Sequence, residues 1–96
     1  MEKEIIIKEV VGIIRRYLSE DYRIYLFGSW AKNTAIETSD LDIGILGKEK
    51  ITDEIMTKIS REVETISTLR GIDVVDLQAK SDEFRQGVLE YAKLIN

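Results

Sequence analysis

Hydrophobic residues change their period several times along this chain, and each change marks an element. From Glu2 to about Glu20, Ile6, Val10, Ile13, Ile14, Tyr17 and Leu18 fall at i, i+4, i+7, i+8, i+11 and i+12, the stripe of an amphipathic helix. Ile5, Ile7 and Val11 widen that stripe toward a second apolar face that would suit a partner helix. Tyr22 to Phe27 is β-branched and aromatic, too short for a helix and closed by Gly28, so it predicts a strand. Ser29 to Asn33 predicts a short helix capped by Ser29, with a loop from there to Ser39. Asp40 to Leu46 alternates with a period of two, setting Asp40, Asp42 and Gly44 against Leu41, Ile43 and Ile45.

Thr52 is placed to cap a third helix, with Asp53 and Glu54 at its positive end. Ile55, Ile59, Val63, Ile66 and Leu69 give its stripe, and Gly71 its stop. Ile72 to Leu77 predicts a third strand, with Asp73 and Val75 on one side and Ile72, Val74 and Asp76 on the other. Ser81 caps a last helix whose Phe84, Val88, Tyr91, Ala92 and Ile95 repeat at helical spacing. The expected order is αβαβαβα, an α+β domain in which helices cover a small parallel or mixed sheet.

Composition narrows the chemistry. The 96 residues include no Cys, His or Pro, so disulfides, thiolate or imidazole metal sites and imidazole bases drop out. Residues 1–96 are expected to form one domain, since a chain this short has room for a single core. A net charge of -4 gives no basic footprint for strong direct nucleic-acid binding. The longest apolar run near the start is Ile5 to Ile7, too short for a signal core or a membrane span. No membrane association and a cytoplasmic location are expected.

Two features fit a pure scaffold poorly. Asp is depleted in strands, yet Asp40 and Asp42 project from one face about 7 Å apart at the backbone. Their repulsion is relieved by hydration at a strand end, by a raised pKa, or by a divalent cation between them. Phe27-Gly28-Ser29 stands where a strand gives way to a helix. Such a glycine either makes an ordinary turn or lets a phosphate approach outward-pointing amides. Asp73, in the third strand, is available as a third carboxylate.

Phe27-Gly28-Ser29, ten intervening residues and Asp40-Leu41-Asp42-Ile43 together resemble the signature of the DNA polymerase β-like nucleotidyltransferase superfamily. The stretch GSWAKNTAIETSDLDIGI, then IDVVDL and the closing helix, is similar to its minimal members, the MNT domains, over nearly the whole chain. The resemblance implies the polymerase β-like nucleotidyltransferase fold, with Gly28 and Ser29 binding the triphosphate of ATP and Asp40 and Asp42 holding Mg²⁺, two ions in all. It implies that Asp73, rather than Asp76, supplies the third metal-site carboxylate and helps activate the attacking hydroxyl. Lys32 is expected either to supplement the triphosphate contacts or to be a solvated helix lysine. Two departures stand out: Lys32-Asn33 occupies a place where relatives often carry Arg or Lys followed by Gly, and Thr34 to Thr38 lacks their common proline.

Larger relatives carry a helical domain for the acceptor, for which 96 residues leave no room. The resemblance therefore implies an antitoxin that attaches AMP to a tyrosine of a HEPN-domain toxin, bound to it as a hetero-oligomer. Two alternatives are a catalytically inactive antitoxin acting by binding alone, and a small-molecule adenylyltransferase with a composite acceptor site. Trp30, the only tryptophan, is expected to be a half-buried structural residue before a base-stacking one.

Overall fold

The computed structural model describes residues 2–36 and 39–96, which form three α-helices and four strands. Residues 37 and 38 of the expected loop lie outside the described residues. The elements are α1 (Glu2–Tyr17), β1 (Arg23–Phe27), β2 (Leu41–Leu46), α2 (Asp53–Val63), β3 (Ile72–Asp76), α3 (Asp82–Leu89) and β4 (Lys93–Leu94). The strands form one mixed sheet in the order β3-β2-β1-β4. β1 is antiparallel to both β2 and β4, and β2 is parallel to β3. The parallel pair needs a crossover, which α2 provides.

Alternation in the strands makes two cores. Ile24 and Leu26 of β1 and Leu41, Ile43 and Ile45 of β2 pack with Ile6, Val10, Ile13 and Ile14 of α1 and Ile59 and Val63 of α2. Ile7 and Val11 are half-buried against this cluster, whereas Ile5 stays 59% exposed. Beyond the hydrophobic contacts, Glu62 of α2 receives both the Tyr17 hydroxyl and the Arg16 guanidinium of α1. That hydrogen bond to the carboxylate raises the Tyr17 pKa above its ordinary value. On the opposite face α3 covers a smaller core of Phe27, Leu77 and Val88, with Tyr25 and Val75 packed beside it.

The caps form as the sequence predicts: Ile55 N–H donates to Thr52 Oγ1 at 3.3 Å and Phe84 N–H to Ser81 Oγ at 3.2 Å. Several boundaries differ. α1 stops at Tyr17, where Arg15 turns back to donate to the Ser19 carbonyl at 2.5 Å. α2 stops at Val63 because Thr65 and Ile66 close tight turns on Glu62 and Val63. Ile66 still packs on the core, but Leu69 is fully exposed. The helix expected over Ser29 to Asn33 is a single 3₁₀ turn, Gly28–Trp30, with Ser29 inside it rather than capping it.

The last helix is also shorter than its periodicity suggests. After Leu89 the chain leaves the helix, and Lys93–Leu94 pairs with Tyr25 and Leu26 of β1. Ile95 N–H donates to the Ile24 carbonyl at 2.8 Å, and Ile24 N–H to that of Asn96 at 2.9 Å. These bonds satisfy an edge of β1 that would otherwise stay open.

Asp76 has a structural task. Its buried carboxylate accepts from Ile51 N–H at 2.8 Å and from Gln78 N–H at 3.0 Å, tying the end of β3 to the start of the α2 crossover. Asp76→Ala leaves the Ile51 amide without this partner, and urea denaturation should show a loss of about 1–3 kcal/mol.

Candidate functional site

The sheet brings a row of three residues together at one end of the face that α3 partly covers. Phe27 of β1 is the register partner of Asp42 in β2, and Asp42 that of Asp73 in β3. Residues paired in this way point to the same side, about 4.8 Å apart from strand to strand. Asp42 and Asp73, distant in sequence, therefore stand side by side. Asp76 lies outside the row, on the buried side, with its oxygens engaged as described above.

Gly28 ends the row. It has φ +74°, and a Cβ built on it would lie 2.1 Å from Asp42 Oδ2. Only glycine meets both demands, a left-handed backbone and a carboxylate against its α-carbon. The turn that follows makes its first internal bond from Ala31 N–H to the Gly28 carbonyl at 3.1 Å, leaving the amides of Ser29 and Trp30 ahead of it. Asn33, where relatives often carry glycine, has φ 61°, a left-handed conformation that asparagine tolerates.

Asp40 sits just before β2 and is exposed. Its Oδ1 accepts from Gly71 N–H at 3.1 Å, and Leu41 N–H donates to the Gly71 carbonyl at 2.9 Å. A Cβ on Gly71 would stand 2.8 Å from that same carboxylate oxygen. Gly71, expected as a helix stop, is instead the seat of Asp40. The signal available in the sequence was a glycine directly before a strand, a place where backbone and side chain approach closely.

Burial first, and then the Asp73 and Asp40 carboxylates, raise the Asp42 carboxyl above the ordinary carboxylate value. Two exposed carboxylates, Asp40 and Asp73, thus bear on a half-buried third. Among the described residues, no three such side chains are gathered tightly enough to make a metal cage by themselves. Mg²⁺ takes one or two carboxylates and completes its shell with water and phosphate oxygens, and Asp42 with its neighbours Asp40 and Asp73 offers carboxylates of that kind. The all-oxygen donor set fits such an ion, and Gly28 brings the backbone of the turn directly against the Asp42 carboxylate. Lys32 is exposed, its ammonium 4.5 Å from the centre of the Tyr91 ring on the α3 side. Trp30 is half-buried against the main core, and its indole N–H donates to the Ser39 carbonyl at 3.1 Å.

A carboxylate row beside a tight Gly-Ser turn, on a small mixed sheet, is the arrangement of a nucleotidyl-transfer domain. The sequence matches the family described as Polymerase beta, Nucleotidyltransferase over residues 12–96, and the chain belongs to that family. It is similar to the protein adenylyltransferase MntA of Shewanella oneidensis, 26% identical over 89 residues. That match covers 88% of this chain and 60% of the relative's length. Among solved structures it resembles a toxin–antitoxin complex with AMP-PNP, at 25% identity and TM-score 0.66, covering 91% of this chain and 69% of that one. It also shares its fold with a complex of tri-AMPylated Shewanella oneidensis HEPN toxin and MNT antitoxin, at 21% identity and TM-score 0.70, covering 95% and 69%. No helix among the described residues is long and apolar enough to cross a membrane.

Proposed function

We propose that this chain is an antitoxin that transfers AMP from ATP to a tyrosine hydroxyl of a HEPN-domain toxin. The observation that carries the reading is the register of Asp42 with Asp73, with the Asp42 carboxylate packed against Gly28. The relatives named above, an adenylyltransferase and the antitoxin of an AMPylated toxin, support it. Residues 1–96 act as one minimal nucleotidyltransferase domain in the cytoplasm, and the acceptor comes from the partner protein. The net charge of -4 favours association with a more basic toxin.

In this reading the amides at Gly28 and Ser29 receive the triphosphate, and the Lys32 ammonium can swing from Tyr91 to add a contact. Asp40 and Asp42, with Asp73 as the third carboxylate, would hold two Mg²⁺ ions, which would neutralise phosphate charge and make the leaving oxygen easier to expel. Asp73, exposed at the edge of the row, accepts the proton of the tyrosine hydroxyl. The hydroxyl oxygen forms its bond to the α-phosphorus as the bond from that phosphorus to the bridging oxygen breaks, and pyrophosphate leaves with the electron pair. The chain's part is alignment and charge placement.

The test combines purified protein, ATP, Mg²⁺ and the neighbouring gene product, followed by intact mass spectrometry. The expected result is added AMP on a partner tyrosine, absent with Asp40→Asn/Asp42→Asn. No AMP on the partner with any divalent metal would overturn transfer, and toxin inhibition that survives the double substitution would assign neutralisation to binding alone.

A further inference from the structure

Asp40 and Asp42 can share an ion only if their separation is held, yet Asp40 stands outside the strand on an exposed loop end. We infer that Trp30 is the positioning residue that fixes Asp40 relative to Asp42. The inference rests on the nucleotidyl-transfer reading and concerns how this chain builds that site.

Trp30 closes the same three-residue turn that Gly28 opens, and Gly28 is in contact with the Asp42 carboxylate. From this turn the indole N–H reaches the carbonyl of Ser39, the residue bonded to Asp40, at 3.1 Å. Ser39 is itself locked locally: its Oγ accepts from Ile36 N–H at 2.9 Å, and its N–H donates to the Ile36 carbonyl at 2.9 Å. On the other side of Asp40, the Arg70 guanidinium lies 5.3 Å from the centre of the Trp30 ring, and the next residue, Gly71, donates to Asp40 Oδ1. The Lys3 ammonium, 4.7 Å from the same ring, ties it to α1. One ring anchored on the core therefore contacts the residue before Asp40 and the residue before Gly71, the hydrogen-bond donor to its carboxylate, while its own turn abuts Asp42. Groups that orient a metal-binding carboxylate typically change affinity about 10–100-fold when removed.

Trp30→Phe keeps a ring for Lys3 and Arg70 but removes the N–H. Mn²⁺ binding, followed by electron paramagnetic resonance with AMP-PNP present, should weaken about tenfold, with melting temperature little changed. In an Asp40→Asn background the same substitution should add little to the remaining weak binding, because the two act through one carboxylate. Equal Mn²⁺ affinity in Trp30→Phe and wild type, or an undiminished effect in the Asp40→Asn background, would overturn the inference while leaving the proposed function standing. Absence of Mn²⁺ and AMP-PNP binding by the wild type would overturn both. Should Trp30→Phe fail to fold, the wild type still reports, since Trp30 is its only tryptophan. Its emission should shift on Mg²⁺ and AMP-PNP binding and again on Asp40→Asn, and emission unchanged in both comparisons would overturn the inference.

Discussion

Asp42→Asn should abolish AMP transfer and, in the metal-free protein, raise the melting temperature. Loss of a metal-holding carboxylate removes several kcal/mol of transition-state stabilisation, so transfer should fall by about 10³-fold or more. Stability moves the other way because the ionised carboxylate is unwelcome in the fold: burial, Asp73 and Asp40 all oppose its charge. Its folded pKa lies above the unfolded value, so the penalty is absent below the ordinary carboxylate value of about 3.9 and complete above the raised one. The variant's advantage should therefore be full at pH 7 and fade as the pH falls through that window. In a domain of this size each kcal/mol relieved reads as about 4–8 °C. Calorimetry at neutral and acidic pH, without and with Mg²⁺, checks the sign, and saturating Mg²⁺ should narrow or reverse the difference. A variant no more stable than wild type at pH 7 without metal would contradict the cost assigned to burial and charge repulsion at Asp42.

Gly28→Ala should damage both properties at once. An alanine at φ +74° costs about 1–2 kcal/mol in backbone conformation alone, and its methyl group would meet Asp42 Oδ2 at 2.1 Å. The carboxylate or the turn must move. Displacements near 1 Å at a reacting centre cost about 100-fold, so transfer should fall at least that far while the melting temperature drops. The opposite thermal shifts of Gly28→Ala and Asp42→Asn separate a distorted site from a merely discharged one. Wild-type transfer by Gly28→Ala would remove the turn from the proposed machinery.

The parts of the fold that were legible in the sequence are those written in local chemistry. The alternation of Leu41, Ile43 and Ile45 against Asp42 and Gly44 fixed the strand and its faces, and Thr52 and Ser81 marked their helices through side-chain caps. Parity along β3 separated Asp73 from Asp76, and the structure sets them on opposite sides. What stayed hidden depends on partners far along the chain. Tyr91, Ala92 and Ile95 keep helical spacing, yet Lys93 and Leu94 form β4 because β1 offers an open edge, a backbone attraction that side-chain pattern does not encode. Ile66 and Leu69 prolong a stripe that the Glu62–Ile66 turns cut short. In the candidate site, the motif pointed to Gly28, Asp40 and Asp42 and the wider resemblance to Asp73, but neither pointed to Gly71 or the Ser39 carbonyl. Their contribution is a backbone amide in one case and a backbone oxygen in the other, groups every residue type carries.

The parallel pairing of β2 and β3 carries a last consequence. Asp42 and Asp73 become neighbours only after α2 has carried the chain over the sheet, so an unfolded chain offers no such pair to an ion. A ligand that bridges the two would act as a removable clasp on that crossover, making the resistance of the fold to unravelling depend on the ionic and nucleotide content of its surroundings. Depletion of those ligands would loosen the protein and silence it together.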